Sequence, residues 1–384
     1  MNYSRRHFHS FDALRFFAFL KVFLLHLPIV AFPAFNFIRN GGGIGVIFFF
    51  VLSGFLITYI LLTEKEATGS IDLRRFFLRR ILRIWPLYYL MVAFAFITPY
   101  ILSFLNIGFS NDGYDPNWLM SVCFLENYQM ILTRDHPNVS PLGVTWSLCI
   151  EEHFYIIWGI LLYFIKMKRL PAVFIFCIVL ASISRYLFIR NDLPTIDILT
   201  NIDYFVFGAI PAYLLVQRKN NFEEKILSLP VTGKMLAIVS IILYVVLSSN
   251  ISYPLQPYLE PLLFGLSFGF IICIIIPEKN PIKISDWNVL TRLGVYTYGM
   301  YLYHTIIINF LAQLFKKYEL SLDAPFITIL FGLIAFGGTV GISILSYKLF
   351  ERYFLSLKKR FTKDRMIANE AITAFSGSEK TLNP

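Results

Sequence analysis

Apolar stretches close to the roughly 20 residues needed to cross a bilayer recur from one end of the chain to the other. The pattern predicts helical spans at 11–30, 44–63, 84–105, 143–165, 171–189, 198–217, 233–249, 257–277, 296–314 and 325–347. About ten spans make an all-α, polytopic membrane bundle with both termini on one side. The longest outer connection, 106–142, holds the turn signals Asn111-Asp112-Gly113, Asp115-Pro116 and His136-Pro137. Between them an apolar piece from Trp118 to Leu125 reads as an interfacial or re-entrant segment. Apolar periodicity is lost beyond about 358, so 1–357 reads as one membrane domain and 358–384 as a polar cytoplasmic tail expected to be disordered. No internal repeat of the kind that marks many transporters is visible.

Composition sharpens this picture. With 57% apolar residues, 40 Phe and 15% charged residues, the chain has more hydrophobic material than one soluble core can hide. Arg5 and Arg6 precede the first apolar run, as in a cleaved signal peptide. That run carries Asp12, Arg15 and Lys21, lacks a small-residue cleavage site and continues to Pro28, so a retained span is expected. Cys123, Cys149, Cys177 and Cys273 show neither disulfide-framework nor metal-ligand spacing. The net charge of +10 raises nucleic acid as a partner, but its distribution argues for topology instead. Basic residues concentrate at Arg74 to Arg83, Lys166 to Arg169, Arg218 to Lys234 and the C-terminal stretch, all on one predicted side. The other side holds only Arg39, Arg134, Arg190, Lys316 and Lys317. The expected location is the inner (plasma) membrane, multi-pass, with both termini cytoplasmic.

The first span carries the candidate chemistry. Arg15 and His26 are eleven residues apart, which returns them to within roughly 20° on one helix face and separates them by about 16 Å along the axis. Asp12 lies one turn before Arg15. Ionisable groups aligned on a membrane helix normally face a polar cavity or one another, although a snorkelling arginine and a helix-end histidine would also fit. His26 suits a general base for a sugar hydroxyl. A thioester would supply the activated carbonyl without a metal. Lys21 sits mid-span and needs a carboxylate or a polar cavity.

Six segments, in order, resemble the acyltransferase 3 family. They are Arg15 with His26; Gly45 to Ile57, read GVIFFFVLSGFLI; Arg79 to Tyr89, read RRILRIWPLYY; Thr145 to Tyr155, read TWSLCIEEHFY; Tyr298 to His304, read YGMYLYH; and Ser346 to Arg352, read SYKLFER. The resemblance implies a ten-helix integral enzyme taking acetyl or another short acyl group from cytoplasmic acyl-CoA, a co-substrate rather than a resident cofactor. It further implies O-acylation of a carbohydrate acceptor, possibly lipid-linked, at the cell envelope. Arg15 and His26 match the family's essential pair, and Arg79, Arg80 and Arg83 its basic motif, which suits coenzyme A phosphates. Lys21 departs from the pattern, because the intervening positions are usually apolar.

Five further candidates remain: Glu151 beside the catalytic pair, and Trp146, Glu152, Ser53 and His304 for the substrate. Glu151 or Glu152 would orient or balance His26 or Arg15, or else pack by a hydrogen bond to Trp146. Ser53 reads as a small residue at a helix contact more readily than as an acyl-carrying nucleophile. His304, among tyrosines, would line the acceptor pocket or be a satisfied interface histidine. The rival reading is a glycan-lipid or proton-coupled transporter with Asp12, Arg15 and His26 as a relay.

Overall fold

The computed structural model describes residues 10–28, 43–104, 112–251, 253–285 and 288–357, with Arg6, Phe8, Ala31, Phe32, Arg39 and Gly41. The predicted tail, 358–384, and the last residues of the predicted first span lie outside them. Helices dominate: α1 Phe11–His26, α2 Gly43–Thr68, α3 Leu73–Phe104, α4 Trp118–Val122, α5 Glu126–Thr133, α6 Trp146–Phe164 and α7 Leu170–Arg190. They continue as α8 Ile198–Gln217, α9 Lys219–Ser228, α10 Val231–Leu247, α11 Gln256–Ile275, α12 Val289–Gly294, α13 Thr297–Lys317 and α14 Pro325–Ser346. A π-helical turn, Tyr347–Glu351, extends α14. No strand occurs among the described residues.

Among the described residues, seven helices are long and apolar enough to cross a membrane, or eight when α9 and α10, bent by 88° at their junction, count as one broken span. The other two predicted spans have helices that fall short for different reasons. α1 has 16 residues, about 24 Å against roughly 30 Å of hydrocarbon. α13 has 21 but is interrupted by Tyr298, Tyr301, Tyr303, His304, Asn309 and Gln313. α3 is the opposite case: at 32 residues it extends about 48 Å, so its first turns, carrying Arg74 to Arg83, reach past the apolar layer. The apolar piece from Trp118 becomes the five-residue α4, capped by the Asn117 side chain.

The most extensive helix pair is α2 with α8, and glycine makes it possible. A Cβ on Gly54 would sit 1.9 Å from the Phe205 carbonyl oxygen, and one on Gly208 would sit 1.8 Å from that of Val51. The backbones therefore touch, the small-residue crossing typical of membrane helices. α8 is tied in turn to α7 by a buried ion pair, Arg185 Nη2 to Asp203 at 2.8 Å, and the same nitrogen donates to the Thr200 carbonyl at 2.7 Å. At the start of α1, Gly294 of α12 packs against the Asp12 backbone, and the Ser10 hydroxyl accepts from the Ile284 amide at 2.8 Å. α6 ends where Lys65 of α2 donates to the carbonyls of Leu162, Tyr163 and Ile165 at 2.6, 3.0 and 2.8 Å.

The 112–142 connection is anchored by a buried carboxylate. Glu126 accepts from the Tyr114 and Ser121 hydroxyls, both at 2.6 Å, while Tyr88 of α3 donates to the Ser121 carbonyl at 2.6 Å. Burial, and then the Glu126 carboxylate, push the Tyr114 phenol up from its usual range, so it remains a donor.

The α2–α8 contact predicts a sharp asymmetry among glycines. Gly54→Ala should destabilise the bundle by about 1–3 kcal/mol, because the new methyl has only backbone to displace. Gly341→Ala, with open space at its Cβ, should be neutral. Thermal unfolding in detergent tests this, and equal melting temperatures for the two variants would contradict the contact.

Candidate active site

A long cavity of about 280 Å³ runs between α1, α2, α3, α6 and α13. Its α2 wall is the stripe Val46, Phe49, Phe50, Ser53, Leu56, Ile57, Ile60 and Glu64, at the three- and four-residue steps of one helix face. The eighteen steps from Val46 to Glu64 correspond to about 27 Å, so the cavity follows most of the helix. Ser53 faces the cavity while its neighbour Gly54 faces α8. On α3 the stripe Phe76, Arg79, Arg80, Arg83 and Ile84 has the same periodicity and turns all three arginines inward. Ser147, Glu151 and Tyr155 come from α6, Thr297, Tyr298 and Tyr301 from the α13 side, and Arg15 from α1.

Four arginines thus line the cavity against two carboxylates, Glu64 and Glu151. Arg15 pairs with Asp12, one turn below it. Glu151 is held by neutral donors, Ser53 Oγ at 3.0 Å and Tyr155 OH at 2.9 Å. The Arg80 guanidinium lies over the Tyr155 ring, 5.5 Å from its centroid. Tyr298 OH donates to the Ile84 carbonyl at 2.7 Å and links α13 to α3. Such a chamber suits a polyanion attached to a long arm, since forked guanidiniums match phosphate oxygens and their charge is felt strongly away from water. Among the described residues no group of three or more His, Cys, Asp or Glu side chains is placed to hold a metal.

Behind one end of the cavity lies a pair of histidines. His26 Nδ1 is 2.9 Å from the Val22 carbonyl and 3.3 Å from His304 Nε2. His304 is fully buried, and its Nδ1 lies 2.7 Å from the Tyr301 carbonyl. Carbonyls accept, so each Nδ1 bears the proton in the neutral rings. His304 Nε2 then offers its lone pair to His26 Nδ1–H, which leaves His26 Nε2 unprotonated, the form a proton acceptor needs. The rings meet edge to face with centroids 4.9 Å apart. Tyr301 joins the pair to the cavity: its ring lines the wall, its carbonyl holds His304, and its hydroxyl donates to Val144 O at 3.0 Å and bonds Ser147 Oγ at 2.6 Å.

Of the residues singled out in the sequence, the cavity gathers Arg15, Ser53, Arg79, Arg80, Arg83 and Glu151. Asp12 stands behind Arg15, and His26 and His304 stand behind Tyr301. The Trp146 pairing does not occur: Glu152 accepts from Trp85 Nε1 at 3.2 Å, and the Trp146 ring packs edge-on to Phe50 instead. His304 meets another imidazole, a contact spanning 278 positions. Tyr155, Tyr298 and Tyr301 went unassigned in the sequence although they lie within its quoted segments. Tyr155 lies four residues after Glu151, Tyr301 three before His304 and Tyr298 three before Tyr301, and that helical spacing is the available signal.

A family model described as an acyltransferase domain matches residues 8–348. The chain is 31% identical over 338 residues to a peptidoglycan O-acetyltransferase of Listeria monocytogenes, covering 80% of this chain and 50% of that protein. It is 29% identical over 320 residues to a putative peptidoglycan O-acetyltransferase of Bacillus subtilis, covering 78% and 48%. A putative O-acetyltransferase of Staphylococcus aureus is 27% identical over 372 residues, covering 91% and 57%. The chain spans about half the length of these curated relatives. No solved structure matches it.

Proposed function

Because the chain belongs to the acyltransferase family whose model spans residues 8–348, we propose that it transfers an acetyl or other short acyl group from cytoplasmic acyl-CoA to a glycan hydroxyl. The observation that carries this reading is the surplus of guanidinium in a cavity that follows about 27 Å of α2. Arg79, Arg80 and Arg83 bind the nucleotide phosphates at the basic end. The pantetheine arm passes Ser53 and Glu151, and the thioester arrives toward Tyr301 and the histidines. The names of the relatives favour a cell-wall polysaccharide as acceptor.

Chemically, His26 Nε2 takes the proton of the acceptor hydroxyl as its oxygen attacks the thioester carbonyl. The carbon–sulfur bond breaks, the thiolate leaves, and the proton passes from His26 to sulfur, giving an ester and free coenzyme A. Arg15, balanced by Asp12, holds the donor or stabilises the developing oxyanion. His304 is a positioning residue that keeps His26 in the tautomer with a bare Nε2. Ser53 acts as a donor to Glu151, and no acyl-enzyme is required. In this reading α1 and α13 also cross the inner membrane, making ten crossings, with both termini cytoplasmic and 112–142 outside.

Purified protein supplied with labelled acetyl-CoA tests the transfer directly. His26→Ala should lower turnover by about 10²–10⁴-fold in a folded protein, and near-normal turnover would eliminate the general base. His304→Ala should reduce kcat and shift its pH profile while leaving donor KM alone, with partial recovery in His304→Gln, which restores an acceptor. A change confined to KM would contradict positioning. Arg79→Lys, Arg80→Lys and Arg83→Lys keep the charge but lose the fork, so each should weaken donor affinity by about tenfold or more. Wild-type affinity in all three would remove the cluster from the donor site. For topology, the exposed Cys123 should react with an impermeant thiol reagent in intact cells, and Cys123→Ser should abolish that labelling. Protection until permeabilisation would reverse the orientation.

A further inference from the structure

A second concavity lies outside the cavity described above, where α6 ends and α7 begins. It is an open pocket of about 450 Å³. Phe164 and Ile165 form one side and Lys166 its rim, while the residue capping α7, Arg169, and Ala172, Val173 and Phe176 of α7 form the other. These four positions follow three- and four-residue steps, so they form one stripe that starts in a guanidinium and becomes wholly apolar. The same face continues through Leu180, Ile183 and Leu187, with Ile183 and Leu187 exposed on the bundle exterior. From Ala172 to Leu187 the apolar strip runs about 22 Å, more than the roughly 15 Å of hydrocarbon in one leaflet. Phe164, 75% exposed, borders its charged end, and Phe176, 63% exposed, lies about 10 Å further along.

We infer that this pocket binds an anionic glycerophospholipid of the surrounding bilayer, its phosphate between Lys166 and Arg169 and one acyl chain along Ala172, Val173 and Phe176. Polarity along the stripe matches such a molecule end to end: cations, then small apolar groups, then an aromatic ring within the hydrocarbon. Backbone amides contribute little, because the 3₁₀ turn Met167–Arg169 uses the first N–H groups and Pro171 has none. The selectivity therefore rests on the two side chains. Lys65 assists from behind. By donating to Leu162, Tyr163 and Ile165 it caps the carbonyls at the end of α6 that would otherwise oppose a phosphate. A zwitterionic lipid offers the same chains but places its own ammonium against Lys166 and Arg169, so the pocket discriminates by headgroup charge.

The full chain, delipidated in detergent, is titrated with phosphatidylglycerol and with phosphatidylcholine of identical chains, and retention is read by native mass spectrometry. Phosphatidylglycerol should be retained at least tenfold more tightly. Lys166→Gln and Arg169→Gln should each weaken it about fivefold, and the double variant about twentyfold, to the level of phosphatidylcholine. Phe176→Ser should weaken both lipids, whereas Lys316→Gln with Lys317→Gln, away from the pocket, should change neither. Equal retention of the two lipids by the unaltered protein, or undiminished phosphatidylglycerol in the folded double variant, would overturn the assignment. Full competition by glycerol 3-phosphate would do the same, by showing a phosphate site that ignores the chains.

Discussion

In hydrocarbon, apolar side chains gain little by meeting each other instead of lipid, so helices associate where backbones approach closely or polar groups pair. α2 and α8 use the first device at Gly54 and Gly208, and α7 and α8 use the second through Arg185 and Asp203. The placement of α2 is the prior condition for everything that follows. With one face fixed against α8, the adjacent face, one residue away at Ser53, is presented along its whole length to α1, α3, α6 and α13. The cavity is what remains when α2 is held on one side and the helices opposite carry arginines too polar to close upon it.

The same solvent argument accounts for the distribution of charge. Arg15, Arg79, Arg80 and Arg83 line a chamber, and Asp12, Glu151 and the Tyr155 ring offset part of their charge locally. At the histidines the nearest charge is Arg39, whose Nε donates to the Leu25 carbonyl at 3.1 Å, while the rings pair with each other. Two imidazoles, each with a carbonyl beside Nδ1, satisfy one another as neutral rings in a buried space. The chamber is therefore most densely cationic along the α3 wall, and the paired imidazoles lie beyond Tyr301 on its other side.

Helical class, membrane character and the arginine wall were all legible in the sequence, because each depends on local periodicity. Arg79, Arg80 and Arg83 share a face through spacing alone, as do Arg15 and His26. Contacts between distant segments were not. His304 to His26 depends on how α13 packs against α1, and Glu152 to Trp85 on how α3 crosses α6. The span count blurred for a related reason: α13 trades apolar residues for tyrosines and a histidine that serve the interior, and α1 is short. The 88° bend between α9 and α10 is likewise set by packing and not by periodicity.

The cavity's two long walls are fastened differently. α2 rests on α8 through main-chain contact, which leaves no slack. α3 is held through side-chain termini: Trp85 to Glu152, Tyr298 to the Ile84 carbonyl, and Tyr88 to the Ser121 carbonyl. In mechanical terms the chamber has one stiff jaw and one compliant jaw, and strain from an entering molecule falls on α3. That jaw carries three of the four cavity arginines. Charge and compliance therefore reside in the same helix, so any displacement of α3 also resets the spacing of those guanidiniums.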